Sequence, residues 1–215
     1  MAVQAKICGI SDATAMRAAV DGGAAFVGLV FYPPSPRNVT ADTAWTLLAH
    51  VPDSVTRVGL FVDAEDDLID VSCRAAGLDM LQLHGSESPA RCAALRERFH
   101  VKVMKAIKIA DAADIAGADP YAGHVDWLMF DAKAPADMKG ALPGGNALAF
   151  EWALLAGRRF PVPWMLAGGL NPGNVAEAVR NSGAATVDVS SGVESAPGRK
   201  DPARITAFLD AVRAL

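Results

Sequence analysis

Eight short apolar runs punctuate the chain, at residues 5–10, 25–31, 55–62, 80–83, 101–107, 127–130, 162–167 and 185–189. Each is followed by a turn or by a residue that starts helices. Their apolar positions are continuous rather than alternating, which fits strands covered on both faces and therefore a parallel sheet. Stretches of helical composition lie between them, at 13–20, 41–50, 68–76, 90–99, 175–180 and 203–214. Capping residues mark several helix starts. Ser11-Asp12 precedes the first stretch, and the pairs Ser88-Pro89, Asn171-Pro172 and Asp201-Pro202 each offer a side-chain oxygen to the free amides of a first turn. The proline adds a φ that is already helical.

Repeated βα units predict an α/β fold. Eight units in 215 residues leave about 27 residues for each, short but sufficient for a (β/α)8 TIM barrel. An open, doubly wound sheet is the structural alternative. No shift in composition marks an internal boundary, so residues 1–215 are expected to form a single barrel domain. The Pro- and Gly-rich stretch 132–146 reads as one long loop after the sixth strand, a kind of segment that often forms lids or binding loops.

Composition narrows the function classes. Hydrophobic residues make up 52% of the chain and charged ones 20%, enough to build a substantial core, yet no apolar run is long enough to cross a bilayer. No membrane partner is expected. The start Met1-Ala2-Val3-Gln4-Ala5 lacks the basic-then-apolar pattern of a secretory signal, and Cys8, Cys73 and Cys92 form neither a disulfide framework nor a metal-ligand spacing. Both features point to the cytoplasm. A net charge of −4 with dispersed Lys and Arg argues against a nucleic-acid partner, so an anionic ligand must be caught locally. His50, His84, His100 and His124 are far apart and show no metal-binding spacing, and no dinucleotide fingerprint is present. Neither metal nor other cofactor is expected.

Local capture of an anion has a candidate site. Leu166-Ala167-Gly168-Gly169-Leu170 follows the seventh run and leads into a helix, so Gly168 and Gly169 can bring bare backbone amides to a phosphate. The eighth run ends in Ser190 and Ser191, and barrels commonly bind phosphate between the loops after strands seven and eight. Cys8 ends the first run just before Gly9, where a side chain can face a crevice; its other reading is a small buried hydrophobe. Asp131 ends the sixth run in the same way, with a helix N-cap as its alternative.

The motifs Lys6-Ile7-Cys8-Gly9-Ile10, Ser35-Pro36-Arg37, Leu81-Gln82-Leu83-His84-Gly85, Phe130-Asp131, Gly168-Gly169-Leu170-Asn171-Pro172-Gly173-Asn174-Val175 and Asp188-Val189-Ser190-Ser191-Gly192-Val193-Glu194 follow one another in order. Together, from Lys6 to Asp201, the chain resembles the phosphoribosylanthranilate isomerase family of tryptophan biosynthesis. The resemblance implies a (β/α)8 barrel and an Amadori rearrangement. N-(5-phosphoribosyl)anthranilate, a phosphorylated aminoaldose, would become 1-(2-carboxyphenylamino)-1-deoxyribulose 5-phosphate. Asp131 would be the acid that opens the furanose, Cys8 the base at the adjacent carbon, and Arg37 the cation that holds the anthranilate carboxylate.

Each role carries a physical demand. Cys8 should be partly ionised near neutrality, helped by a neighbouring cation. Asp131 must begin protonated, which calls for apolar burial or a nearby negative charge. Taken alone, Arg37 in its Pro-rich turn reads as a solvated loop arginine. His84 either orients substrate or hydrogen-bonds within the barrel mouth, and Asp188 either holds sugar hydroxyls or structures the phosphate loop. Lys6 and Lys105 stand where a Schiff-base aldolase would place its lysine, but internal ion pairs are expected of them. The competing readings are another phosphate-binding barrel, such as an epimerase or aldolase, and a non-catalytic ligand sensor. A monomer is expected, with a homodimer as the alternative. One segment departs from the family pattern: Gly144-Gly145-Asn146 ends in Ala147 where the family has glycine, and an alanine should resist positive φ there.

Overall fold

Strands form where the apolar runs lie. They are β1 (Gln4–Cys8), β2 (Phe26–Val30), β3 (Thr56–Phe61), β4 (Met80–Leu83), β5 (Lys102–Ile109), β6 (Trp127–Ala132), β7 (Trp164–Leu166) and β8 (Thr186–Val189) in a computed structural model that describes residues 2–135, 138 and 142–215. All pair in parallel and in sequence order, and β8 pairs with β1. The sheet is thus a closed barrel and not an open one.

Closure explains why the runs are apolar without alternation. Successive residues point to opposite faces of a strand, and in a closed barrel both faces are buried. Phe26, Val58, Met80, Met104, Met129 and Met165, from six different strands, pack together inside. Their neighbours Val27, Leu81, Val103, Leu128 and Leu166 point outward into a second core beneath the helices.

Six α-helices are present among the described residues: α1 (Ala13–Asp21), α2 (Ala41–Leu48), α3 (Asp66–Ala76), α4 (Pro89–Phe99), α5 (Val175–Ser182) and α6 (Pro202–Arg213). After β5 and β6 the connections are 3-10 segments, Asp114–Tyr121 and Trp152–Leu155. Gly117 and Pro120 disfavour an α-helix in the first. Asp12, Ser88 and Asp201 cap α1, α4 and α6 through their side chains. None of the described helices is long and apolar enough to cross a membrane.

The expected cap at Asn171-Pro172 is corrected, because α5 begins a turn later, at Val175. Asn174 Oδ1 accepts from the Asn171 amide and its Nδ2 donates to Gly169 O, while Asn171 Oδ1 accepts from the Gly173 amide. These bonds hold residues 169–174 as a separate turn in front of the helix. In the loop expected at 132–146, Ala132 belongs to β6, and Ala136, Asp137, Lys139, Gly140 and Ala141 lie outside the described residues. A small antiparallel pair, β9 (Glu194–Ala196) and β10 (Arg199–Lys200), follows β8.

The β1–β8 seam carries a charge pair in register. Lys6 is level with Asp188, and its Nζ lies 2.8 Å from Asp188 Oδ1 with the lysine fully buried. Replacing one partner leaves the other charge unpaired in a dry interior. Lys6→Met should therefore lower stability by about 3 to 5 kcal/mol in urea unfolding; a loss below about 1 kcal/mol, the size of a surface pair, would show that the seam does not depend on it.

Candidate active site

The period of two that fills the barrel with methionine also brings polar groups to its mouth. Following Met80 up the same face come Gln82 and His84; following Met129 comes Asp131; Lys6 is followed by Cys8, and Asp188 by Ser190. They line a crevice of about 750 Å³, its open mouth included, at the C-terminal ends of the strands. All nine site residues expected from the sequence lie on it: Cys8, Arg37, His84, Asp131, Gly168, Gly169, Asp188, Ser190 and Ser191. In barrels this face is where catalytic groups converge.

Asp131 is not a helix cap. Its Oδ1 accepts from the Ala132 amide at 2.9 Å, and its Oδ2 lies 3.1 Å from His84 Nε2. His84 Nδ1 in turn faces Gln82 Nε2 at 3.0 Å. Gly144 closes over this pair so tightly that a Cβ there would come within 3.0 Å of Asp131 Oδ2 and His84 Nε2.

Cys8 is 3% exposed, and the partial ionisation expected of it is corrected. Burial pushes the thiol above its ordinary value; the Lys6 ammonium opposes this, Asp188 reinforces it, and burial wins. The neighbouring cation exists but is already committed to Asp188. Burial pulls Lys6 down as well, yet Asp188 and Cys8 together hold it above the ordinary lysine value. Lys6 is therefore an ammonium and no Schiff-base nucleophile. Lys105 is also spoken for, through bonds to Leu83 O, Gly85 O and Glu87 Oε2.

Arg37 overturns the solvated-loop reading: it is 5% exposed. Its Nε and Nη2 hold Glu194 at 2.7 and 2.9 Å, and Nη2 also donates to Gly145 O. Glu194 is shared with Lys200, whose Nζ also donates to Ser190 O and Oγ. Burial tends to raise Glu194, but Arg37 and Lys200 hold it below the usual carboxylate range. Burial holds Lys200 below the usual lysine range despite Glu194. Two cations around one carboxylate leave one net positive charge beside the crevice.

The phosphate candidates come together. Gly168 and Gly169 both adopt positive φ, +88° and +66°. A side chain at Gly192, after Ser191, would strike the Leu170 backbone, so the loops after β7 and β8 are in contact. Asp188 lines the crevice with its Oδ1 bonded to Lys6 Nζ at 2.8 Å.

Gln82, Glu194 and Lys200 were not among the expected site residues. Gln82 had a signal, since it stands two residues before His84 and so shares its face of the strand. Glu194 ends one of the motifs that carry the resemblance, but its pairing with Arg37, 157 residues away in the chain, had no local signal. Among the described residues no three His, Cys, Asp or Glu side chains are grouped to hold a metal ion.

Residues 5–211 match the sequence profile of N-(5'phosphoribosyl)anthranilate (PRA) isomerase. The chain belongs to this family. It is 57% identical over 214 residues to the N-(5'-phosphoribosyl)anthranilate isomerase of Paramagnetospirillum magneticum, covering 99% of this chain and 98% of that one. Its structure is similar to phosphoribosyl anthranilate isomerase from Thermotoga maritima, with a TM-score of 0.87, 35% identity, and coverage of 99% of this chain and 100% of that one. It is also similar to a phosphoribosyl anthranilate isomerase solved in complex with reduced 1-(o-carboxyphenylamino)-1-deoxyribulose 5-phosphate, at a TM-score of 0.84 and 33% identity over 99% of this chain and 100% of that one.

The departure from the family pattern at Ala147 behaves unlike its expectation. Ala147 does adopt positive φ, +56°. It follows Asn146, whose side chain accepts from Leu142 N and donates to Leu142 O and so ties 142 to 146. The left-handed backbone costs an alanine about 1 kcal/mol, so Ala147→Gly should stabilise the protein by up to that amount in urea unfolding; a loss of stability would show that the alanine is accommodated without strain.

The buried thiol yields a second expectation. Alkylation of Cys8 should be slow at neutral pH and keep climbing as pH passes the ordinary thiol value of about 8.5, because only the thiolate reacts. Mass spectrometry separates Cys8 from Cys73 and Cys92, whose thiols burial pushes up to about 11. A rate that levels off below pH 8 would mean that Lys6 outweighs burial.

Proposed function

We propose that this chain isomerises N-(5'-phosphoribosyl)anthranilate to 1-(2-carboxyphenylamino)-1-deoxyribulose 5-phosphate, a step of tryptophan biosynthesis. The observation that carries the reading is the convergence of Cys8 on β1 and Asp131 on β6 upon one crevice. Asp131 gives its proton to the ring oxygen as the C1–O bond breaks and the nitrogen lone pair forms the C=N bond. The thiolate form of Cys8, a minor fraction at neutral pH because burial raises the thiol, then removes the C2 proton, and the electrons of that bond move into C1=C2 while nitrogen recovers its pair. The enolamine moves a proton from the C2 hydroxyl to C1 and becomes the ketone, so the reaction is balanced without oxidant or reductant.

Binding follows from the remaining groups. The Gly168 and Gly169 amides with Ser190 and Ser191 hold the phosphate, at the loop that leads into α5. Arg37, fixed by Glu194, presents its remaining guanidinium edge to the anthranilate carboxylate, and the planar fork suits that anion. The ion-paired states of Lys6 and Lys105 speak against an aldolase. The reading extends to a monomer, and to the cytoplasm, where Cys8, Cys73 and Cys92 would stay as the free thiols they are. A size-exclusion mass twice that of the chain would replace the monomer by a homodimer.

Purified protein given fresh phosphoribosylanthranilate should abolish its anthranilate-type fluorescence without added cofactor, and exhaustive chelation should not slow it. Cys8→Ser and Asp131→Asn keep the shapes of the side chains but not their proton chemistry. Each should lower kcat by at least about 10², the contribution usual for a general acid or base, with product-analogue affinity little changed. Near-normal kcat in folded Cys8→Ser would make Cys8 a buried hydrophobe and end this mechanism.

A further inference from the structure

Gln82 is fully buried below His84, and its amide is only half satisfied. Nε2 lies 3.0 Å from His84 Nδ1 and 3.2 Å from Met129 Sδ, while Oε1 has no hydrogen-bond partner among the described residues. The orientation of this amide follows from its surroundings. With Nε2 toward His84 and Met129, both amide hydrogens meet acceptors, a ring nitrogen and a thioether. Turned over, Oε1 would face the sulfur lone pairs and an NH2 group would be buried with neither hydrogen bonded. A leucine or methionine would fill the space without an orphaned amide oxygen but would leave the buried His84 Nδ1 without its partner, so the amide has a task at the ring.

An imidazole that accepts at Nδ1 carries its proton on Nε2, and here Nε2 points at Asp131 Oδ2. A second ring proton would have to sit on Nδ1, against the N–H of Gln82. A proton placed there would cost the ring its bond from Gln82.

We propose that Gln82 is a positioning residue for the acid step: it holds His84 as the neutral Nε2–H tautomer, so that a proton entering the His84–Asp131 pair stays on the Asp131 carboxyl. This rests on the assignment of Asp131 as the acid. From the carboxyl the proton passes to the ring oxygen, and the His84 Nε2–H bond then steadies the carboxylate left behind. Without Gln82 the pair could store the same proton as an imidazolium facing a carboxylate, which is a poorer donor to the substrate.

The test reads the ring directly, by 15N NMR of histidine-labelled protein, with His84→Asn to assign the signal among the four histidines. In the wild type at active pH, His84 Nδ1 should resonate as an unprotonated acceptor and Nε2 as a protonated nitrogen. Gln82→Glu places an acceptor at Nδ1 and should protonate it. Its kcat should fall by about tenfold or more, part of the factor of about 10² that an acid contributes, while KM changes little. Gln82→Met keeps volume without the donor and should give mixed tautomers and an intermediate kcat. A protonated Nδ1 in the wild type, or Gln82→Glu with unchanged kcat, would overturn the proposal. The wild-type spectrum needs no variant to fold and no activity. Absence of turnover in the wild type would count against the isomerase reading, while the tautomer would still report on Gln82.

Discussion

An ammonium sealed inside a barrel has to be neutralised where it stands, and that constraint organises the floor of this site. Lys6 is fully buried between strands and has one strong partner, Asp188, on the strand that closes the barrel. Unpaired, either charge would cost several kcal/mol. The pair ties β1 to β8, engages one oxygen of Asp188, and places a cation next to Cys8. Because the ammonium is shared between a carboxylate and a thiol, it lessens the effect of burial on Cys8 without cancelling it. A base with a protonated resting state is the outcome.

Above this floor the site is held by side chains that belong to distant loops. Glu194 receives Arg37 from the loop after β2 and Lys200 from the β9–β10 pair, and Lys200 reaches Ser190 after β8. The loop after β2 and the connection from β8 to α6 are thereby fixed to one another through a single carboxylate. Rigid supporting contacts of this kind keep a binding group within the small tolerance that catalysis requires. On the opposite side Gln82, His84 and Asp131, all buried, form a chain of hydrogen bonds, closed by the tight approach of Gly144.

The barrel could be read from the chain because its cause is local. Continuous apolar runs make strands with two buried faces, and caps such as Ser88 and Asp201 start helices through atoms within three residues of themselves. The convergence of Cys8, His84, Asp131 and Asp188 was legible for the same reason: each stands at or just past a strand end, and strand ends meet at one face of a barrel. Asn171 failed as a cap since its neighbourhood offered two asparagines, and the one at 174 took the bonds that fold the turn.

What the sequence by itself determined was therefore the order of elements, the parallel closed sheet they make, and the list of groups at its mouth, all of which follow from periodicity and short-range bonding. Tertiary structure alone decided the state of those groups. Arg37 is buried and paired, Asp188 is paired with Lys6, Cys8 rests as a thiol, and Ala147 is bent into positive φ. Each of these depends on charges, dielectric or hydrogen bonds brought from elsewhere by folding. Residue 37 meets residue 194 only because the loops after β2 and β8 meet over the same barrel mouth, and no local pattern encodes that distance.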